Sequence, residues 1–586
     1  MRNTPGRSTF APRAAAALLL ALAAACGGDR KGGGGSTAGN DTTKEPGGTP
    51  ERGGTAVLVE AADMEKPMPL VWQSSMDSDL MDVMYMGLTR AEWRDGQLVY
   101  LTSNDNPMAA AYHWEFTGPD STAIRFRLRS GLKWSDGQPL TSADVVYTYQ
   151  MMANPAVASP RQGDVAQIDS VSAENDSTVV IHYKRRYAGM MFSTAANIVP
   201  RHVYQDAAPA SIRTHPALND PVNRLVVSGA FKVGAWRRGE SITFVPNPYF
   251  PVRPNLDQIV VRIIQEPTTR LVELRNGTAD MVRGISFDQV PQIRAGDAEH
   301  QIRFEREQGR FWEYIAYNPT AHPAFADPEV RRALAMALDV PGIIRALGMQ
   351  EWTTPAGGPY SPIFKGLGDD PKLAPLAYDT ARADSILDAH GWKDSNGDGI
   401  RDKGGKPLSF TLVTNVGNAR RADVAQIAQQ QWKKIGVDMQ FRQMEFNTFL
   451  HALNTHGYEA ALGSWGVQLS PDITPEFMPG AEFNVVQYNN PQVVELMQQA
   501  LAKPSYEQAY PLWRAAAERI VQDQPYTWLY FYDNITAVRN RLRGVRIDTY
   551  GAYQNVWEWW IPRSMQGGAA GAAPAAGGND TAKGKR

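Results

Sequence analysis

The chain has 586 residues, 43% hydrophobic and 20% charged, with a formal net charge of −2. That length exceeds what one hydrophobic core supports, so two or more lobes are expected. The near-zero charge supplies no global field for nucleic acid or an anionic membrane, and the single cysteine, Cys26, excludes an intramolecular disulfide.

At the start of the chain, Arg2, Arg7 and Arg13 precede the apolar run from Ala14 to Ala25, the layout of a secretory signal peptide. The run is too short to span a bilayer as a mature helix. Leu22-Ala23-Ala24-Ala25-Cys26-Gly27 resembles a bacterial lipobox, with Ala23 departing from the usual leucine. The resemblance implies cleavage before Cys26 and a diacylglycerol on its thiol. The alternative is an ordinary cleaved signal with an incidental cysteine. Residues 27–52 are rich in Gly, Ser and Thr, a composition that cannot bury a core and reads as a flexible tether. Residues 564–586, rich in Gly and Ala, read as a disordered tail.

Within the body, strands are expected at Ala123–Leu128, Gln258–Gln265 and Thr527–Tyr532. Thr141 and Asp144 make a capping-box start for a helix with Val145, Tyr149 and Met152 on its apolar face. Asp327-Pro328 opens another, with Val330, Leu334 and Leu338 at helical spacing. A third runs through Val424, Ile427, Gln431, Trp432 and Ile435 and ends at Gly436. A fourth starts at Asn490-Pro491; Pro511 either kinks a helix or begins one. Strands and helices alternate throughout, which gives an α/β class.

From Arg125 the chain reads RFRLRSGLKWSDGQPLTSADVVYTYQ. Ser228-Gly229-Ala230-Phe231, Trp236, Asn247-Pro248-Tyr249-Phe250, Leu274 to Asp280, Tyr317-Asn318 and Asp327 to Asp339 follow in order. Together these resemble the signatures of bacterial extracellular solute-binding proteins of family five, the oligopeptide and dipeptide type. The resemblance implies a two-lobed flytrap fold with an extra subdomain on the first lobe. It divides the chain into lobe I (53–76, 220–312 and 536–563), an inserted subdomain (77–219) and lobe II (313–535). It also implies a monomer outside the cytoplasm, in the periplasm or at the cell surface. Such a protein holds a peptide or other small ligand in the interlobe cleft and passes it to the membrane subunits of an ABC permease. No catalytic activity, cofactor, metal or nucleic-acid partner is expected.

The resemblance also places ligand-binding residues. One cleft segment is Asp63-Met64-Glu65; the other contains Ser464, Trp465, Gly466 and Gln468, with Asp472 beyond it. Gln468 stands where peptide binders of the family carry the Asp that pairs with the ligand's α-ammonium. An unpaired buried charge costs about 3–5 kcal/mol. Either Asp63, Glu65 or Asp472 therefore supplies the carboxylate, or the ligand lacks a free amine there.

Two other patterns read as structural. Asp394 to Asp402 resembles the start of a calcium loop, but Gly405 stands where its bidentate Glu belongs, so a Gly-rich hairpin turn is expected. Met64, Met68, Met76, Met81, Met84 and Met86 read as an adaptable core rather than a thioether metal site. Two other functions are weighed: a solute-presenting sensor with the same fold, and a secreted hydrolase. The hydrolase lacks a Gly-x-Ser-x-Gly elbow.

Overall fold

The helices begin where side chains can satisfy their first N–H groups. Thr141 and Asp144 form a reciprocal capping box for Ser142–Ala153, and Asp327 accepts the Glu329 N–H to start Pro328–Met336. Asn418 caps Ala419–Lys433 and Asn490 caps Pro491–Leu501. Gly436, at φ +74°, makes the turn that follows the third helix. The spacing through Leu338 overruns the second, because Asp339 caps a new helix, Val340–Ala346. Pro511 lies inside Tyr506–Asp523, which Ser505 caps.

The computed structural model describes residues 47–567 except 73, 298–300, 468 and 482. Cys26, Gln468, most of the expected tether and the tail from 568 lie outside the described residues. Numbered in chain order, the strands of the main sheet are β1 Thr55–Glu60, β2 Phe231–Arg237, β3 Ser241–Pro246, β4 Gln258–Ile263 and β5 Met281–Ile285. They continue with β6 Ile302–Tyr317, β7 Thr353–Pro355, β8 Ser409–Asn415, β9 Asp438–Met444, β10 Ala460–Gly466 and β11 Tyr526–Arg539. Their spatial order is β9-β8-β10-β6-β11-β5-β1-β4-β3-β2, with β7 against β11. The strand expected at Thr527–Tyr532 is thus part of one 14 residues long.

That extra length has a structural purpose. β6 and β11 pair antiparallel at both ends: Ile302–Glu307 against Arg539–Asn534, then Phe311–Ala316 against Tyr532–Tyr526. At the first end β11 also pairs with β5; at the second, β6 pairs with β10. The two strands therefore belong to both halves of the molecule and cross between them. Residues 308–310 are skipped in the pairing, a bulge of the kind that bends a sheet.

A four-stranded antiparallel sheet spanning residues 111–183 stands apart from the main one. One core joins it to β1–β4 and to residues 538–561, and includes all six methionines of the group from Met64 to Met86. A second core runs beneath the crossing strands, and a third packs Trp312, Tyr314, Trp513 and Tyr526 in the second half. The calcium-like loop bonds to itself: Asp394 accepts the N–H groups of Gly397 and Gly399. The hairpin there lies slightly later, Asp402–Lys403 against Lys406–Pro407. Among the described residues, no cluster of three or more metal-ligating side chains is present and no helix is long and apolar enough to cross a membrane.

Candidate functional site

The two halves also touch outside the crossing strands. The Trp93 ring meets Phe364 edge-on at 5.3 Å, and Ala188 N–H donates to the Lys503 carbonyl at 3.0 Å. Tyrosines from both halves gather near these contacts. Tyr100, Tyr187 and Tyr550 of the first half and Tyr506 of the second are half-buried there. Burial pushes the Tyr100 hydroxyl well above its ordinary range, and the nearby Tyr506, Tyr550 and Tyr187 add to the shift. Tyr550 is likewise raised by burial, with Asp82, Arg90, Arg161 and Asp548 within electrostatic reach.

Charged groups sit where the crossing strands meet each half. In the first, Arg283 pairs with Asp79 at 2.6 Å and with Glu307 at 3.1 Å, while Glu60 accepts from the Tyr553 hydroxyl at 2.6 Å. Burial raises both Glu60 and Glu307, against the pull of Arg283. In the second half, Glu313 is fully buried between Arg420 (2.9 Å) and Arg421 (2.5 Å). Two guanidinium groups on one carboxylate leave a surplus positive charge. Arg420 is 21% exposed and lies over the Tyr532 ring at 4.2 Å, with Phe287 of the first half at 5.4 Å. Its Nε is buried without a partner among the described residues.

The two cleft segments expected from the sequence stay bonded to their own halves. Asp63 accepts from Trp236 Nε1 at 3.1 Å, Gly239 N–H at 2.8 Å and Met64 N–H at 2.8 Å, so its oxygens serve the local fold. The Met64 side chain is 1% exposed and belongs to the core; its carbonyl accepts from Arg238. Glu65 is exposed, and its N–H is held by Asp77. Ser464, Trp465 and Gly466 end β10 opposite Glu313, Trp312 and Phe311. Ser464 shares a hydrogen bond with the Tyr532 hydroxyl at 2.9 Å, and Trp465 stacks on Tyr314. β8 covers β10 only at Ala460 and Ala461, so no strand of the main sheet pairs with that edge at Ser464–Gly466.

Asp472 lies just beyond, with Oδ1 held by the Thr474 N–H and hydroxyl. Burial raises its carboxyl above the usual range. Four residues on, Glu476 is nine-tenths buried, and burial together with Asp472 pushes it up to about 7. Both carboxylates line a cavity with Trp312, Tyr360, Phe364 and Phe477. Glu476, Arg420, Arg283 and the four tyrosines carry no local signal in the sequence. Each matters through neighbours remote in the chain.

Residues 106–479 match the family described as bacterial extracellular solute-binding proteins, family 5 Middle. The chain is 27% identical over 536 residues to the oligopeptide-binding protein AppA of Bacillus subtilis, covering 89% of this chain and 94% of that protein. The structure of that AppA in complex with a nonapeptide aligns with a TM-score of 0.71 at 25% identity, over 88% of this chain and all of the other. The ABC transporter substrate-binding protein CtaP of Listeria monocytogenes, at 20% identity, shares the fold with a TM-score of 0.76, over 87% of this chain and all of that one. With the crossing strands and the match through the middle of the chain, this protein belongs to family five of the bacterial extracellular solute-binding proteins.

Proposed function

We propose that the chain captures a peptide or peptide-like solute between its halves and delivers it to an ABC permease. The observation that carries this is the meeting of the two halves beside Tyr187 and Tyr506, where Ala188 N–H donates to the Lys503 carbonyl at 3.0 Å, with Tyr100 and Tyr550 within electrostatic reach. Tyrosines supply flat apolar surface with a polar tip, which suits a ligand enclosed from both sides. The edge of β10 at Ser464–Gly466 suits an extended backbone adding as a strand, a mode that binds without reading side chains. The surplus charge at Arg420–Arg421–Glu313 suits a ligand carboxylate. AppA of Bacillus subtilis, named for oligopeptide binding, supports the same ligand class.

In this reading lobe I comprises 53–76, 220–312 and 536–563, with 77–219 inserted and 313–535 as lobe II. The protein acts as a monomer without catalysis, tethered to the membrane outside the cytoplasm through a lipid on Cys26. Ser464–Gly466 belong to the lobe II wall, while Asp63 and Met64 support lobe I through bonds and packing within their own half. By the family resemblance, Gln468 stands where peptide binders carry the Asp that pairs with a ligand amine.

The test is native purification of residues 53–563, mass spectrometry of what unfolding releases, and thermal-shift titration with a tetrapeptide library. Peptides that raise the melting temperature with concentration and return intact support capture. A released non-peptide compound, with no peptide shifting the transition, would replace the ligand class. Cleaved peptides would replace binding with hydrolysis.

A further inference from the structure

Two carboxyl groups follow the end of β10 by a few residues. Glu476 is 7% exposed, and its Oε2 is buried with no hydrogen-bond partner among the described residues. Asp472 keeps Oδ1 on Thr474, and no bond to its second oxygen is present among the described residues. The cavity that both line has about 20 Å³ for the centre of a water-sized group. That accommodates one small polar head, such as a water or a primary ammonium, and not a guanidinium or a ring. Its other walls are the faces and edges of Trp312, Tyr360, Phe364 and Phe477.

A buried carboxylate without a donor is costly, and the one hydroxyl on the aromatic walls, that of Tyr360, already donates to the Pro471 carbonyl. A cation satisfies both features at once: the carboxylates give it counter-charge and hydrogen bonds, and the rings give cation–π contact. The position is also right. Gly466 and Val467, at the end of β10, form part of the wall, and Phe364 is the residue that meets Trp93 across the cleft. Ser470, on the same wall, lies 3.5 Å from the Tyr506 hydroxyl.

We propose that Glu476 and Asp472 form an ammonium subsite at the end of the interlobe cleft, which receives a primary ammonium of the ligand, from its amino terminus or from a lysine side chain. The subsite rests on the peptide-capture reading above and relocates the ligand's counter-charge from position 468 to the helical turn Thr474–Phe477.

Calorimetry on the full folded body tests it with a tetrapeptide library carrying free amino termini, the same library N-acetylated, and N-acetylated libraries with and without lysine. Loss of affinity of about 100-fold or more on acetylation, matched by Glu476→Gln, assigns the subsite to the amino terminus. Retention by the acetylated lysine library alone, lost in the same variant, assigns it to a lysine side chain. The library comparison needs no variant; Glu476→Leu is a second one should the amide misfold. If all libraries bind the unmodified protein alike, and neither variant weakens binding more than about threefold (~0.7 kcal/mol), the cavity holds only an ordered water. The ammonium subsite then falls while peptide capture stands. If none of the libraries binds, both readings fall together.

Discussion

Glu476 titrates differently from a paired carboxylate. Its carboxyl is raised from 4.5 to about 7 by burial and by Asp472, with Tyr360 and Tyr526 also within reach. Between those values the folded state holds a proton that the unfolded chain has lost, so this group's contribution to stability is full below pH 4.5 and lost as pH rises through 7. The full shift corresponds to about 3 kcal/mol. Glu476→Gln removes the titration while keeping the shape. We therefore expect the variant to gain stability over the unmodified protein between pH 5 and pH 8, by up to that amount. Urea melts at the two pH values measure it; an unchanged difference would mean the carboxyl titrates normally. Asp63 provides the contrast. With three N–H groups already on its oxygens, Asp63→Ala is expected to cost about 1–3 kcal/mol of stability with little change in ligand affinity. A lost affinity at unchanged stability would return it to the binding site.

At the scale of elements, the bulge between the two paired stretches of β6 and β11 is the place where the halves can bend. Gly309 sits in it at φ +55°, a conformation that a side chain disfavours by about 1–2 kcal/mol. Its N–H donates to Asp533 at 2.7 Å, its carbonyl accepts from Ser361, and an added Cβ would overlap the Ser361 hydroxyl. Gly131 has a similar φ of +73° with open space around it. The expected order is thus about 1–2 kcal/mol for Gly131→Ala and clearly more for Gly309→Ala, with Ser361→Ala restoring part of the difference. Equal losses in denaturant melts would show that Gly309 needs only its dihedral angle and not its close packing.

Across the whole molecule, ligand capture depends on how well the two halves stay together. The Trp93–Phe364 pair is a contact made only when they meet, and such aromatic pairs contribute about 0.5–1.5 kcal/mol. Replacing both by Ala biases the equilibrium toward the open form and is expected to weaken ligand binding about two- to tenfold. Small-angle scattering of the ligand-free variant should show a larger radius of gyration. Unchanged affinity and unchanged dimensions would place the closing energy elsewhere, in the contact of Ala188 with Lys503 or in the ligand itself. On the same scale, Cys26→Ser should move the protein from the membrane to the soluble fraction if the cysteine carries the lipid.

Much of this was written locally. The capping box at Thr141 and Asp144, the Asp327-Pro328 start, the Asn490 cap and the strand Ala123–Leu128 depend on residues a few positions apart, so the sequence alone determined them, and with them the family. The methionine group was legible as core for the same reason: its density and helical spacing. What the tertiary structure decided depends on residues far apart in the chain. Asp63 looked available until Trp236 and Gly239 were folded onto it. Arg420 became a surplus charge only when Glu313, over a hundred residues earlier, came between it and Arg421. Glu476, in a short turn with no motif, became an unpaired acid only once Trp312, Tyr360 and Phe477 closed around it. Burial and charge pairing are properties of three-dimensional neighbourhoods, and a sequence read in order specifies only those neighbours that the chain itself keeps close.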